Sequence, residues 1–120
     1  MKQLLIVAHG SRKESSNNEI RSLSEKVSGE LSSNVNKVSV AFLELASPSI
    51  QEGIDDCFNS GVEEIIVLPY FLAGGNHVLE DIPREIRQAL NSWPEKNITI
   101  LPHIGANEGM CALLAKACKS

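Results

Sequence analysis

Apolar and polar positions alternate along this chain in two different rhythms. Four short apolar runs, LLIVAH (4–9), VSVAFLEL (38–45), EIIVLPYF (64–71) and ITILPHI (98–104), punctuate it; most are nearly continuous, and three of them carry β-branched pairs. Near-continuity over so few residues marks strands covered on both faces, as in a parallel sheet. Between the runs the spacing changes. Residues 16–32 place Ile20, Leu23, Val27 and Leu31 on one helical stripe. SPSIQEGIDDCFNSG predicts a second helix, with Ser47 as its N-cap, Pro48 at its first position and Gly61 suited to a left-handed C-terminal cap. Gly53 inside it is a mild penalty. VLEDIPREIRQALNSW predicts a third helix that Pro83 either interrupts or starts, and GMCALLAKACK a short fourth one.

The order β-α-β-α-β-α-β-α predicts an α/β fold: a four-stranded parallel sheet with helices on both faces, in a single domain over 1–120. A strand order of 2-1-3-4 is expected by analogy with doubly wound, flavodoxin-like folds. No internal repeat, linker or low-complexity segment interrupts the pattern.

Composition narrows the function classes. The 120 residues fit one modest core, and 42% hydrophobic content is ordinary for a globular chain. No apolar run approaches the ~18 residues of a membrane span. The start, MKQLLIVAHGSR, has too short an apolar run for a signal peptide and reads as a first strand, so a cytoplasmic location is expected. A net charge of −4 argues against nucleic acid as a partner and against broad capture of anions. Cys57, Cys111 and Cys118 lack zinc-site spacing; all three are expected to be small buried hydrophobes, the last two on one helix face.

Candidate chemistry gathers at one edge of the predicted sheet. Ligands of open parallel sheets bind outside the carboxyl ends of the strands. The first run ends at His9, the second near Glu44, the third passes through AGGN to His77, and the fourth ends near His103. These are the only three histidines of the chain. His9 and His77 fall on loops that should adjoin, and neutral imidazole binds cobalt, iron, nickel and zinc, with Glu44 available to complete or neutralise a site. His103, between Pro102 and Ile104, reads as structural. Gly74 and Gly75 are expected to take positive φ near a ligand, and a helix starting near Asn76 would offer free N–H groups to an anion. Glu80 and Asp81 suit the dipole of the following helix. Arg12 and Lys13 are the cations beside the first strand end.

HGSR after the first run, FLELASPSI across the second run and its helix, and LPYFLAGGNHVLEDIP after the third resemble the CbiX/SirB family of sirohydrochlorin chelatases. The resemblance covers roughly residues 4–90, with the three motifs in order; LPHIGANEGM in the last quarter matches loosely. It implies a class II chelatase, a lyase that needs no ATP and inserts a divalent metal into sirohydrochlorin on a route to cobalamin or sirohaem. Cobalt is expected first, with iron or nickel as alternatives, and no cofactor beyond that metal substrate. By this resemblance His9 is a metal ligand and proton acceptor, and His77 the second metal ligand. Glu44 is an acid near the metal, and Leu72, Ala73, Gly74, Gly75 and Asn76 contact the tetrapyrrole together with His77. Arg12 is expected to meet the macrocycle's carboxylates. The length suits a short form that works as a homodimer, and a broad planar ring asks for a cleft wider than one small sheet edge. Two other classes stay open: a carrier that holds metal or tetrapyrrole without turnover, and a small phosphate-binding α/β domain using the glycine loop. The carrier predicts stoichiometric binding only; the phosphate binder predicts affinity indifferent to His9 and His77.

Overall fold

The computed structural model describes residues 1–32 and 34–119. Four parallel strands, β1 (Lys2–Ala8), β2 (Val35–Phe42), β3 (Glu64–Pro69) and β4 (Asn97–Ile100), form one sheet in the order β2-β1-β3-β4. The expected doubly wound topology holds, and the amino-terminal run is a strand. β1 is central, paired along its length with β2 (Gln3↔Lys37 through Ala8↔Phe42) and with β3 (Lys2↔Glu64 through Val7↔Pro69). Each strand stops earlier than its apolar run. His9, Glu44, Phe71 and His103 therefore lie in loops just past the carboxyl edge.

Helices α1 (Glu14–Ser28), α2 (Ile50–Asn59), α3 (Ile82–Leu90) and α4 (Gly109–Ala117) follow the strands in turn. One sheet face packs on α2 and α3 through Leu5, Val7, Ile65 and Val67 against Ile54, Phe58, Ile82 and Ile86. The opposite face packs Leu4, Ile6, Val40 and Phe42 against Ile20 and Val27 of α1. Burying each such side chain stabilises the fold by about 1.5–3 kcal/mol. α2 approaches the sheet closely at Gly53, where a Cβ would stand 2.9 Å from the Ala41 Cβ. The helix-propensity penalty of that glycine is the condition for the close contact.

Burial on both faces, expected of most of the strands, is met by β1, six of whose seven residues are buried, and not by the β3–β4 edge of the sheet. β3 alternates: Ile65, Val67 and Pro69 are buried, Ile66 and Leu68 only half so. β4 contributes no buried residue, and Ile100 and Leu101 are exposed. The reason is α4, which contributes no buried residue, rests mainly against a 3-10 turn at Ile104–Ala106, and leaves Leu113 and Leu114 at 59% and 60% exposure. The cysteine expectation fails with it: Cys57 is buried, and its thiol pKa is raised chiefly by desolvation, but Cys111 and Cys118 are exposed.

Ser47 is not the N-cap of α2. Phe42 donates its N–H to the Pro48 carbonyl at 2.8 Å, and Ser49 bridges back to Phe42, so residues 48 and 49 still run alongside β2. The helix starts two residues later, with Ser49 and Glu52 forming a reciprocal capping box. Gly61 takes φ +100° just past the end, as its position suggested. Pro83 starts the main part of its helix, lying in the first turn of α3 after a single π-helical turn, His77–Asp81. π turns of this kind often accompany functional sites.

Candidate metal and tetrapyrrole site

The strand ends are fastened to one another by backbone bonds that outlast the strands. Leu43 donates to Ala8 O at 2.9 Å, Glu44 to His9 O at 3.1 Å and Tyr70 to Val7 O at 2.7 Å. This places the loops after β1, β2 and β3 side by side. Gly10 makes the closest approach possible: it sits at φ +97°, and a Cβ there would stand 1.7 Å from the Glu44 carbonyl oxygen. Only glycine fits. The rest of the HGSR loop is held by Asn17 on α1, which is 2% exposed. Its Oδ1 accepts from Ser11 N–H at 3.0 Å and its Nδ2 donates to Ser11 O at 2.8 Å.

His9 and His77 come together. Their ring centroids are 4.9 Å apart at an interplanar angle of 67°. Two imidazoles sharing one tetrahedral ion through bonds of ~2.0–2.1 Å would place their centroids about 5 Å apart. The tautomers agree with that use. His9 Nδ1 lies 3.1 Å from Gly10 O, and His77 Nδ1 lies 2.7 Å from Asp81 Oδ2. A carbonyl and a carboxylate only accept, so in each neutral ring Nδ1 carries the hydrogen and Nε2 keeps a free lone pair. Glu44 Oε2 stands 3.7 Å from His9 Nε2, and Phe71 meets the His9 ring edge-on with centroids 6.4 Å apart. Among the described residues no three His, Cys, Asp or Glu side chains stand as a ready ligand set. Two imidazoles and an acid set slightly apart leave coordination positions open.

Asp81 and Arg84 were not legible as site residues. Asp81 stands directly before α3, where its charge suits the helix dipole, but its side chain makes no cap hydrogen bond. Its Oδ2 meets His77, and its Oδ1 accepts from Arg84 Nη2 at 3.0 Å. The His77 ring, and then Arg84, hold its carboxyl below the usual carboxylate range. The four-residue spacing of His77 and Asp81 was the available signal, since such pairs share a helix face. Asn17 gave no signal at all. Leu45, exposed and held at φ +66°, directly follows Glu44.

The loop Leu72, Ala73, Gly74, Gly75 and Asn76 leads from β3 to His77 and is exposed throughout. Gly74 and Gly75 do not take positive φ; among the described residues the positive-φ glycines are Gly10 and Gly61. Gly74 lies close against His103 instead: a Cβ there would stand 3.0 Å from its Cε1, tight enough that the ring would have to shift slightly. His103 thus packs under the loop, and Gly105 donates to Phe71 O at 3.0 Å beside it. The anion nest expected near Asn76 is reduced, because Val78 and Leu79 donate to Gly75 O at 3.1 and 3.0 Å. Arg12 and Lys13 are exposed and form no ion pair among the described residues.

With this geometry in view, the family model described as CbiX matches residues 3–120. The chain belongs to the CbiX family. The match takes in the last quarter, where the motifs alone were loose. Curated relatives include the sirohydrochlorin ferrochelatase of Bacillus subtilis, 35% identical over 109 residues, covering 90% of this chain and 41% of the relative. The sirohydrochlorin cobaltochelatase of Methanopyrus kandleri is 38% identical over 84 residues, covering 70% of this chain and 57% of the relative. The chain thus spans about half the length of these curated relatives. A solved CbiX protein from Marinobacter aquaeolei superposes with a TM-score of 0.84 at 26% identity, covering 99% of this chain and 95% of its own.

Asn17→Ala removes both partners of the Ser11 backbone and is expected to destabilise the fold by about 1–3 kcal/mol. Urea denaturation measures this; a midpoint equal to wild type would show that the clamp does not hold the loop.

Proposed function

We propose that this chain inserts a divalent metal ion into sirohydrochlorin without ATP, in a single class II chelatase domain. The observation that carries the reading is the pair of imidazoles at 4.9 Å with Glu44 beside them. The curated relatives named for this chemistry with iron and with cobalt support it. Both metals suit a site of two imidazoles and a carboxylate, and cobalt is taken first, with iron and nickel as alternatives.

Insertion exchanges one metal ion for two pyrrole protons. His9 and His77 hold the incoming ion through Nε2 on one face of the ring. While His9 does so its Nδ1–H stays on Gly10 O, so the ring has no lone pair left for a proton. Glu44 is then the acceptor for the first pyrrole proton, 3.7 Å from the metal-holding nitrogen. His9 is free to accept the second once the ion has passed to the macrocycle. Coordination left open by the protein leaves room for the pyrrole nitrogens to replace the imidazoles one at a time.

Substrate contacts come from the exposed loop Leu72–Asn76 and from Leu45, with Arg12 meeting carboxylates at the ring's rim. The hollow walled by Leu43, Glu44, His77, Asp81 and Arg84 holds about 220 Å³, and the one on the other side of His9 about 260 Å³. Each falls short of the roughly 300–1,000 Å³ typical of ligand pockets. A second copy of the chain closes the cleft in this reading, and the uncovered β3–β4 face with the unpacked α4 gives it apolar surface to bury. The alternative is a carrier of metal or tetrapyrrole without turnover.

Cobalt insertion followed by absorbance is expected to fall at least ~100-fold in kcat/KM in His9→Ala and in His77→Ala, and Glu44→Gln to lower kcat by about 100-fold. Undiminished rates in both histidine variants would end the reading, and stoichiometric binding without turnover in wild type would favour the carrier. Light scattering after size exclusion should give twice the chain mass for wild type and the single-chain mass for Leu113→Glu/Leu114→Glu; a monomeric wild type with full activity contradicts the shared cleft.

A further inference from the structure

We propose that Asp81 is a positioning residue, which presents Nε2 of His77 to the metal by holding the hydrogen on Nδ1. The inference rests on the reading of His77 as a metal ligand and deepens it. The His77 side chain is 47% exposed, so packing alone does not fix its ring. What fixes it is the 2.7 Å bond from Nδ1 to Asp81 Oδ2. Asp81 is itself restrained, its other oxygen taken by Arg84 at 3.0 Å. The π-helical turn His77–Asp81 brings the two side chains over one another at a separation of four residues.

The competing role for this acid is helix capping, and the geometry opposes it. Asp81 immediately precedes α3 but has helical dihedrals, φ −69° and ψ −46°, and makes no side-chain cap bond. Both carboxylate oxygens are committed to His77 and Arg84 instead. A neutral imidazole left to itself favours the hydrogen on Nε2, the atom that would have to bind metal. A carboxylate on Nδ1 reverses that preference, orients the ring and strengthens the opposite nitrogen as a donor. His9 receives weaker help of the same kind from a neutral carbonyl, Gly10 O. Of the two ligands, His77 is therefore the one whose orientation depends on a side chain that substitution can remove.

The test uses the full chain without tetrapyrrole. Long-range ¹H–¹⁵N spectra report the tautomer of His77, and calorimetric titration with cobalt chloride reports metal affinity, in wild type, Asp81→Ala, Asp81→Asn and His77→Ala. The proposal expects wild-type His77 to carry its hydrogen on Nδ1 and Asp81→Ala to populate the Nε2–H form. Cobalt affinity should fall about 10–100-fold in Asp81→Ala. Asp81→Asn, which keeps an acceptor oxygen but no charge, should lie between. An unchanged His77 tautomer in Asp81→Ala overturns the proposal. So does unchanged cobalt affinity in Asp81→Ala when His77→Ala has lost it. Wild-type affinity in His77→Ala instead defeats the underlying assignment of His77 as a ligand, and the proposal with it. Amide spectra matching wild type show that each variant is folded.

Discussion

The structure depends on the central place of β1 and on the hydrogen bonds that carry its pairing past both neighbours' ends. With β2 on one side and β3 on the other, the carbonyls of Val7, Ala8 and His9 accept from Tyr70, Leu43 and Glu44. Loops that would otherwise be free are tied to a strand buried over six of its seven residues. His9 leaves that strand directly. The two loops at its sides deliver Glu44 and, through Phe71 to Asn76, His77. Convergence of the three side chains is thus a consequence of backbone pairing, and Gly10 is the residue that lets the backbones close to that distance.

In the proposed reading, hydrogen bonds aim the two imidazoles while the acid is left free. Each imidazole has its Nδ1 hydrogen committed to an acceptor, so the nitrogens left over point a lone pair outward. Glu44 remains exposed and slightly apart, available for charge or for a proton. A resident metal would be better held by a closed set of three or four ligands, as in structural zinc centres. Two fixed imidazoles and one loose acid suit an ion that arrives and leaves.

The parallel sheet and the pairing of His9 with His77 were legible because they follow from periodicity and from the rule that parallel sheets bind ligands at their carboxyl edge; the strand order came only by analogy with doubly wound folds. The family motifs pointed to the same residues. What was not legible depends on contacts between distant segments. Ser49 replaces Ser47 as a cap because the Phe42 N–H holds Pro48 against β2. Gly74 packs close to His103 and does not take positive φ. Asp81, which looked like a dipole partner, turns to a ring one helical turn away. The exposed cysteines and leucines of α4 follow from a helix that leaves the sheet uncovered, and local sequence carries no information about that choice.

X-ray absorption at the cobalt edge of the metal-loaded protein, in wild type and in each single-histidine variant, tests the central claim most directly. The account predicts one ion bound by two imidazole nitrogens at ~2.0–2.1 Å, falling to one when either His9 or His77 is replaced. An ion with no imidazole in its shell, or a shell unchanged by both substitutions, would contradict it.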